Sequence, residues 1–439
     1  MKVSSYTLGC KVNIYETEAV MNDFLDHGYI ITDFDDVSDV YIINTCSVTS
    51  TSDSKSRKII RQATRRNPNA VIAVMGCYSQ LKPEDVSSIE GVDIIIGTDK
   101  RHQLYDLVSE TLQSKKKQVL VDRIFDVDVF EELKVKRFFT HTRGFIKIQD
   151  GCENFCSYCT IPFARGKVRS RKKESIIVEI KQLVDSGVKE IILSGINTGA
   201  YGQDLSEYRL HHLLKDLIEA VPKLRRIRIS SIELMEVSEE LLQTIKQYES
   251  HFAYHLHIPL QGGSDNTLKK MNRKYRTSEY QAKINRVREL FPNIAITTDC
   301  LAGFVGETDQ DFEDAYAFIK QLSFSEMHIF PYSRRSGTAA DHMEGHLSEQ
   351  IKHERTHKLI ELSKSMAIEY RTKFIGQTLE VLVESKKDGH WFGRSSNYIE
   401  VEFTSAEQLE NRIVYVTLTD ATYPVAKAIF IRKEEENEF

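Results

Sequence analysis

The pattern of apolar and polar residues divides the chain into three regions. In the first, residues 1–115, short apolar runs alternate with helical periodicity. The predicted strands are KVSSYTL (2–8), VYIIN (40–44), AVIAVM (70–75) and VDIIIG (92–97). A helical pattern from Ile14 to His27 ends before Gly28, and a basic helix runs from about Asp53 to Arg66. This alternation predicts a doubly wound α/β domain.

The second region resumes the alternation after a predicted linker, residues 116–140, which begins within the charged run KKK at 115–117 and continues as a mixed-charge stretch. Six further strands are predicted, namely FIKIQ (145–149), EIILSG (190–195), RRIRISS (225–231), AYHLHI (253–258), IAITTDC (294–300) and SEMHIF (325–330). Helical patterns lie between them, and a long helix from about Ser348 to Phe374 follows. The pattern over residues 141–372 therefore predicts a partial or complete barrel of parallel strands.

The third region, residues 376–439, consists of short strands with alternating polarity. Asp388-Gly389 between two of them is typical of a tight hairpin turn. The region predicts an antiparallel barrel of about five strands, an architecture that often binds nucleic acid.

Composition narrows the functional classes only slightly. The 439 residues are 41% hydrophobic, which suits folded domains, and the net charge of -5 neither favours nor excludes a nucleic-acid partner. No secretory signal and no apolar stretch near the ~20 residues of a membrane helix is visible, so we expect a cytoplasmic protein without a membrane partner. In a reducing compartment, seven cysteines indicate metal binding or chemistry rather than disulfides.

Three of these cysteines each follow a predicted strand of the first region. Cys10, Cys46 and Cys77 end the runs SSYTLGC, VYIINTC and AVIAVMGC. The carboxyl ends of parallel strands share one edge, so the thiols are expected to converge. The alternative is that they are buried apolar cysteines. We interpret Cys300, in the middle of a strand pattern, as such a core residue.

The other three cysteines lie together in CENFCSYC, as Cys152, Cys156 and Cys159. A closed zinc site needs a fourth ligand, and the nearest downstream histidine, His211, is about fifty residues away. Clustered thiolates also suit an iron–sulfur cluster. Three ligands on a four-iron cluster leave one iron open.

The motif CxxxCxxC after the first barrel strand resembles the radical S-adenosylmethionine (SAM) superfamily, in which SAM chelates the open iron. Further stretches that carry this resemblance are SGIN (194–197), ISSIE (229–233) and AGFVGET (302–308). The residues that the resemblance implies for SAM binding are Tyr158, Ser194, Gly195, Asn197, Ser231, Glu233 and Gly303.

With the second cysteine triad and the C-terminal region, the whole chain resembles the methylthiotransferase family, whose C-terminal barrel is a TRAM domain. The resemblance implies two [4Fe-4S] clusters, two SAM molecules per turnover and an electron donor such as a flavodoxin or ferredoxin. TLGCKVNIYETE (7–18) is most similar to the branch that modifies N6-threonylcarbamoyladenosine at tRNA position 37. The alternatives are isopentenyladenosine-37, an aspartate of a ribosomal protein, and a non-catalytic iron–sulfur protein that binds RNA and senses redox state.

The anticodon stem-loop of tRNA is the expected partner, and basic runs such as ARGKVRSRKK (164–173) suit its phosphates. The predicted RNA contacts are Arg165, Arg169, Arg171, Lys172, Arg273, Trp391 and Arg394. Solvated charged faces, and aromatic residues in the core of the small barrel, are the alternatives. His255 and His257, on one side of a strand, fit either a substrate contact or ordinary hydrogen-bonded histidines.

Overall fold

A computed structural model of the chain describes residues 1–139 and 142–434. Its N-terminal sheet has six parallel strands in the order β2-β1-β3-β4-β5-β6. The strands are β1 (Lys2–Thr7), β2 (Ile30–Ile31), β3 (Val40–Thr45), β4 (Val71–Gly76), β5 (Ile94–Ile96) and β6 (Gln118–Leu120). The helices are α1 (Lys11–Asp26), α2 (Ser50–Arg66), α3 (Cys77–Leu81), α4 (Pro83–Ser87) and α5 (Leu104–Ser114).

The central strands β3 and β4 are buried along their whole length. Apolar residues from both faces of the sheet pack under helices, in two separate clusters. A parallel sheet covered on both faces explains why these strands appear in the sequence as continuous apolar runs. The predicted doubly wound domain is confirmed.

The predicted linker is not an exposed tether. Its residues Gln118–Leu120 form β6, the edge strand of the first sheet. Leu133 and Val135 are buried against Tyr15 of α1 and against the barrel. The Tyr15 hydroxyl donates to the Leu133 carbonyl at 2.6 Å. The segment therefore joins the first sheet to the barrel as packed structure, a role that its mixed charges concealed.

The second region is a partial barrel. In chain order its strands are β7 (Gly144–Lys147), β8 (Gln149–Asp150), β9 (Arg169–Ser170), β10 (Glu190–Ser194), β11 (Arg226–Ile229), β12 (His255–His257), β13 (Ala295–Ala302) and β14 (Glu326–Pro331). Two parallel sheets, β11-β10-β7 and β12-β13-β14, are joined by the bridges Ile227–Phe252 and Ser231–His257. Among the described residues, β14 does not pair with β7, so the barrel is open there.

Helices cover the outside of this barrel. They are α6 (Ile161–Arg165), α7 (Lys173–Asp185), α8 (Leu210–Ala220), α9 (Glu239–Gln247), α10 (Asp265–Lys270), α11 (Thr277–Leu290), α12 (Asp309–Leu322) and α13 (Glu349–Thr372). Ile191 and Leu193 of β10 pack outward with Ile180 and Leu183 of α7. Because side chains alternate along a strand, Ile192 between them points the other way, where it packs with Tyr15 of α1. None of the helices in the described parts of the chain combines the length and apolarity needed to cross a membrane.

The third region is a closed five-stranded barrel in the order β15-β16-β17-β19-β18. Its strands are β15 (Thr378–Lys387), β16 (His390–Ser395), β17 (Glu400–Phe403), β18 (Ile413–Leu418) and β19 (Ala426–Lys433). Asp388 and Gly389 both have positive φ, 50° and 84°, as the predicted hairpin turn requires. The fold class predicted from the sequence is confirmed. The predicted domain limits at residues 141 and 439 lie outside the described residues.

This small barrel is joined to the larger one by buried charges. Arg226 and Arg228 of β11 pair with Glu190 of β10, at 2.6 and 2.8 Å. Arg226 also reaches Glu380 of β15 at 3.1 Å, and Arg228 donates to the Ser395 carbonyl at 3.2 Å. The lumen end at the start of the strands is therefore covered by the C-terminal barrel.

Candidate active site between two cysteine triads

The first cysteine triad lies at the carboxyl edge of the N-terminal sheet. Cys10 and Cys46 follow the neighbouring strands β1 and β3, and Cys77 begins α3 directly after β4. Cys46 and Cys77 are buried, whereas Cys10 is exposed. The structure thus brings together three thiols that are far apart in sequence, at the edge where ligands of parallel sheets bind.

Two glycines leave room around these thiols. A Cβ on Gly9 would lie 3.3 Å from the Cys46 sulfur, and one on Gly76 would lie 2.4 Å from Asn44 Oδ1. The φ angles of Gly9 and Gly76 are 107° and 104°, a region that favours glycine. Any larger residue at either position would push the backbone away from the triad.

The second triad occupies the loop between β8 and α6. The Cys152 amide donates to the Gly166 carbonyl and the Cys159 amide to the Cys156 carbonyl, each at 3.0 Å. The Ile161 amide points at the Cys159 sulfur at 3.4 Å. The backbone therefore fixes the loop so that its sulfur atoms need no ordering when they bind a ligand.

Burial disfavours the thiolate form of three of these cysteines. Burial raises the pKa of Cys77 to about 11 and the pKa values of Cys152 and Cys159 to about 12. Bound metal deprotonates a coordinating thiol outright. Three sulfur atoms that converge at each triad fit the ligand set of an iron–sulfur cluster.

Each triad has an arginine against one of its sulfur atoms. The guanidinium of Arg165, at the end of α6, donates to the Cys77 sulfur at 3.4 Å. Arg273, after α10, donates to the Cys156 sulfur at 3.3 Å. The motif spacing gave no sign of either contact, because both arginines are remote from these cysteines in sequence.

Arg165 belongs to a buried network of charges between the sheet and the barrel. Glu16 of α1 accepts hydrogen bonds from Arg165 and Lys147, at 2.5 and 2.8 Å, and forms an ion pair with Arg101 at 2.5 Å. Lys147 of β7 also pairs with Asp150 at 2.5 Å. All five side chains are at most 3% exposed. Through Arg165, which also contacts Cys77, the network links the N-terminal sheet to the barrel.

The residues predicted for SAM binding gather near the second triad. Asn197, after β10, donates to Glu236 at 3.0 Å. Glu233 pairs with Arg273, which contacts the Cys156 sulfur. Cys156, Glu233 and Glu236 line one cleft. The ring of Tyr158 packs edge-on to Phe304, next to Gly303.

Two acceptor atoms at or beside this cleft, Asn197 Oδ1 and Glu236 Oε2, have no hydrogen-bond partner within the described part of the chain. Burial raises the pKa of Glu236. Buried acceptors without a donor are costly unless a ligand satisfies them, and an amino group would do so. Glu236 was not predicted from the sequence, because no motif includes it. The Ser194 hydroxyl, by contrast, already donates to the Ile146 carbonyl at 3.1 Å.

Comparisons with known proteins agree with this arrangement. Residues 146–319 match the Radical SAM superfamily and residues 2–97 match Uncharacterized protein family UPF0004. A Bacillus subtilis protein named threonylcarbamoyladenosine tRNA methylthiotransferase MtaB is 42% identical over 99% of this chain and 97% of its own length. The chain belongs to the radical SAM tRNA methylthiotransferase family. It is an enzyme of the class that transfers methylthio groups, and membership implies a [4Fe-4S] cluster and SAM.

Other methylthiotransferase relatives differ in their names. The MtaB protein of Aquifex aeolicus is 39% identical over 87% of this chain and 93% of its own length. A tRNA-2-methylthio-N(6)-dimethylallyladenosine synthase of Thermoanaerobacter pseudethanolicus is 36% identical, over 94% and 89%. Among solved structures, the radical SAM methyltransferase TsrM from Kitasatospora setae has a TM-score of 0.58 at 14% identity, over 77% of this chain and 76% of that one. That likeness concerns the fold alone.

In this methylthiotransferase, several predicted RNA contacts need correction. Arg165, Arg169 and Arg171 are at most 3% exposed. Arg169 lies 3.7 Å from Asp150, and Arg171 pairs with Glu132 at 2.9 Å and with Glu179. These three arginines hold the protein together and do not form an exposed basic patch.

Three other predicted RNA contacts are also buried or engaged in contacts within the protein. The Arg273 side chain is 3% exposed and is engaged with Glu233 and Cys156. Trp391 is 2% exposed in the core of the small barrel, as the alternative interpretation stated. The Arg394 side chain is 17% exposed and pairs with Glu400 at 2.7 Å. Lys172 alone in the predicted set is exposed, at the start of α7.

Proposed function

We propose that this enzyme converts N6-threonylcarbamoyladenosine at tRNA position 37 to its 2-methylthio derivative. The observation that carries the proposal is the proximity of the two cysteine triads. Thr160, next to Cys159, donates to the carbonyl of Ser47, next to Cys46, at 3.4 Å. Arg165 links the second loop to Cys77. The names of the B. subtilis and A. aeolicus relatives support this substrate over an isopentenyl one.

Each triad would hold a [4Fe-4S] cluster, with Asn197 and Glu236 beside the second triad as acceptors for the SAM amino group. When bound, the clusters and two SAM molecules would supply two things. One is a radical that removes hydrogen from C2 of the adenine, and the other is the methylated sulfur that takes the place of that hydrogen. The remaining predicted SAM residues, namely Tyr158, Ser194, Gly195, Ser231, Glu233 and Gly303, stay part of this proposal. The chain's own task is to position these groups and to exclude water.

A basic surface suited to tRNA lies on α2. Lys55, Lys58, Arg61 and Arg65 are exposed at helical spacing, and Lys172 adds a further exposed charge. The first residue of α2, Ser50, contacts Ser333 just beyond β14. The basic face thus begins beside the open side of the barrel, where phosphates of an entering anticodon stem-loop would pass. A tRNA substrate implies a cytoplasmic location, and an electron donor such as a flavodoxin or ferredoxin completes the proposal.

The deciding experiment is mass spectrometry of tRNA nucleosides from a strain that lacks the gene. We expect the 2-methylthio form of threonylcarbamoyladenosine to disappear and its precursor to accumulate. The wild-type gene should restore the product, and so should the Cys300→Ala variant, since Cys300 is a buried residue outside both triads.

Other outcomes favour the alternatives. Loss of the isopentenyl derivative would assign the enzyme to that branch. An unchanged nucleoside profile, with loss of a modified aspartate from a ribosomal protein, would assign the third branch. A reconstituted protein that fails to cleave SAM, with no change in either analysis, would indicate the redox-sensing RNA-binding protein.

A further inference from the structure

The lumen of the larger barrel contains a polar cluster that the two triads do not explain. His257 of β12, Asp299 of β13 and His328 of β14 lie on three neighbouring strands. Their nearest nitrogen and oxygen atoms all lie within 4.8 Å of one another. The distance between His257 Nε2 and Asp299 Oδ2 is 3.3 Å, and the rings of His257 and His328 are 5.9 Å apart. We call these three residues the lumen cluster.

The lumen cluster lies between the two cysteine triads and the floor of the lumen. Ser231, in the segment proposed for SAM, bridges to His257, and β13 runs from Asp299 to the loop of Gly303. Towards the other end of the barrel, the His255 ring stacks on Tyr398 of the C-terminal barrel at 4.1 Å. A group that enters past the triads therefore meets the lumen cluster before the lumen closes.

Lys11 adds a positive charge to this space. It follows Cys10 directly at the start of α1. Burial raises the pKa of Asp299 but His257 lowers it further, and burial lowers the pKa of His328; the charge of Lys11 adds a smaller lowering effect at both groups. Within residues 1–139 and 142–434, the side-chain nitrogen atoms of Lys11 and His328 take part in no hydrogen bond. His257, in contrast, is held by Thr297 Oγ1 at 2.8 Å from its Nδ1. Lys11 and His328 are therefore free to donate to a ligand, whereas His257 and Asp299 are held in place.

This set of groups matches a particular substituent. A threonylcarbamoyl group carries a carboxylate, a hydroxyl and ureido N–H groups, whereas an isopentenyl group has no polar atoms. The free donors suit the carboxylate, and the Asp299 carboxylate suits an N–H or O–H donor. A site built for hydrogen bonds rejects an analogue that lacks them, because its polar groups are then left unpaired.

We propose that Lys11, His257, Asp299 and His328 bind the polar N6 substituent of the target adenosine and thereby exclude an apolar one. The inference rests on the proposed function, since it names the residues that select its substrate. His257 is the fixed element, and Lys11 and His328 are the specificity-determining donors.

The test compares the binding of three anticodon stem-loop RNAs by the reconstituted enzyme. The RNAs differ only at position 37, which carries adenosine, threonylcarbamoyladenosine or isopentenyladenosine. We expect the wild type to prefer the threonylcarbamoyl RNA. In Lys11→Met and in His328→Leu this preference should fall by about 10- to 100-fold, the usual range for a lost charged hydrogen bond. Binding of the unmodified RNA and iron content should stay as in the wild type.

The matched control is His357→Leu, which removes an exposed histidine of α13 and should leave all three affinities unchanged. An equal loss of affinity for all three RNAs in the lumen variants would overturn the inference, as would no loss at all. A zinc or manganese ion bound to the wild type in addition to cluster iron, and lost in His328→Leu, would make the lumen cluster a metal site instead. A wild type that prefers the isopentenyl RNA would refute both this inference and the proposed function.

Discussion

Arg165 lies in the barrel region, yet its guanidinium donates to the sulfur of Cys77 in the N-terminal sheet at 3.4 Å. The same side chain binds Glu16 and is fully buried. It therefore connects the loop of one cysteine triad to a ligand of the other. Hydrogen bonds to cluster sulfur atoms tune reduction potential, so this contact has a measurable consequence.

Replacing Arg165 by Lys should shift the reduction potential of the cluster that we propose at Cys10, Cys46 and Cys77. Lysine keeps a positive charge near Glu16 but lacks the Nε–H group that donates to Cys77. That hydrogen bond stabilises the reduced form of the cluster. The potential should therefore fall, as measured by spectroscopic redox titration of a protein in which the second triad is replaced by Ala. An unchanged potential would show that Arg165 acts only through its charge.

Arg165→Leu should destabilise the fold by about 3–5 kcal/mol, because Glu16 loses a buried partner.

Acid should destabilise the protein through Glu131. Burial alone would raise the pKa of this carboxyl. Arg101 and His102 lower it by more than burial raises it, so that the pKa is about 2. A carboxyl whose pKa is lower in the folded state contributes stability above its unfolded pKa, about 4.5, and loses that contribution as the pH falls towards 2. Stability measured by denaturant unfolding should therefore decline between pH 4.5 and 2. Glu131→Gln should flatten this decline, whereas the exposed control Glu110→Gln should not.

Trp391 should matter for stability rather than for stacking on RNA. Its ring is 2% exposed in the core of the small barrel. Trp391→Ala should lower the free energy of unfolding by about 3–5 kcal/mol, because a large buried ring leaves a cavity. Its neighbour Phe392, which is only partly buried, is the control and should cost much less as Phe392→Ala. Full stability of Trp391→Ala with weaker RNA binding would contradict the structure.

The basic face of α2 should supply salt-dependent tRNA affinity. The variant with Lys55, Lys58 and Arg61 each changed to Gln should bind tRNA more weakly. If each contacts one phosphate, the slope of log affinity against log salt should become shallower by about 2 to 3. Lys115→Gln with Lys116→Gln removes exposed charge at the end of α5 and serves as control. An unchanged slope in the α2 variant would place the tRNA elsewhere.

Local sequence patterns were sufficient for the main strands of both sheets and for both triads, although they missed the short strands β2, β6 and β9. Cys10, Cys46 and Cys77 each follow an apolar run, and the rule that parallel strands end at a common edge brings them together without knowledge of the fold. Gly9 and Gly76 support the same prediction through the space that they leave.

Buried charges were beyond such patterns. Arg165 and Glu16 are 149 residues apart in sequence, and only the packing of the sheet on the barrel makes them partners. In the run ARGKVRSRKK, the buried arginines and the exposed Lys172 look alike. Trp391 stands in a strand with alternating polarity, and the sequence did not decide which face turns inward. Glu236, Asp299 and His328 lie outside every motif, whereas the sequence analysis left His257 open between a substrate contact and an ordinary histidine.

The salt bridges of Arg226 and Arg228 also bear on how the chain can be divided. Both arginines share Glu190 within the larger barrel and reach into the C-terminal one. A chain truncated after α13 would leave these cations facing water with fewer partners, and the His255 ring would lose its cover, Tyr398. Removing the small barrel would therefore expose this end of the lumen of the larger barrel to solvent. Exchange of this module between relatives requires that its buried contacts be exchanged with it.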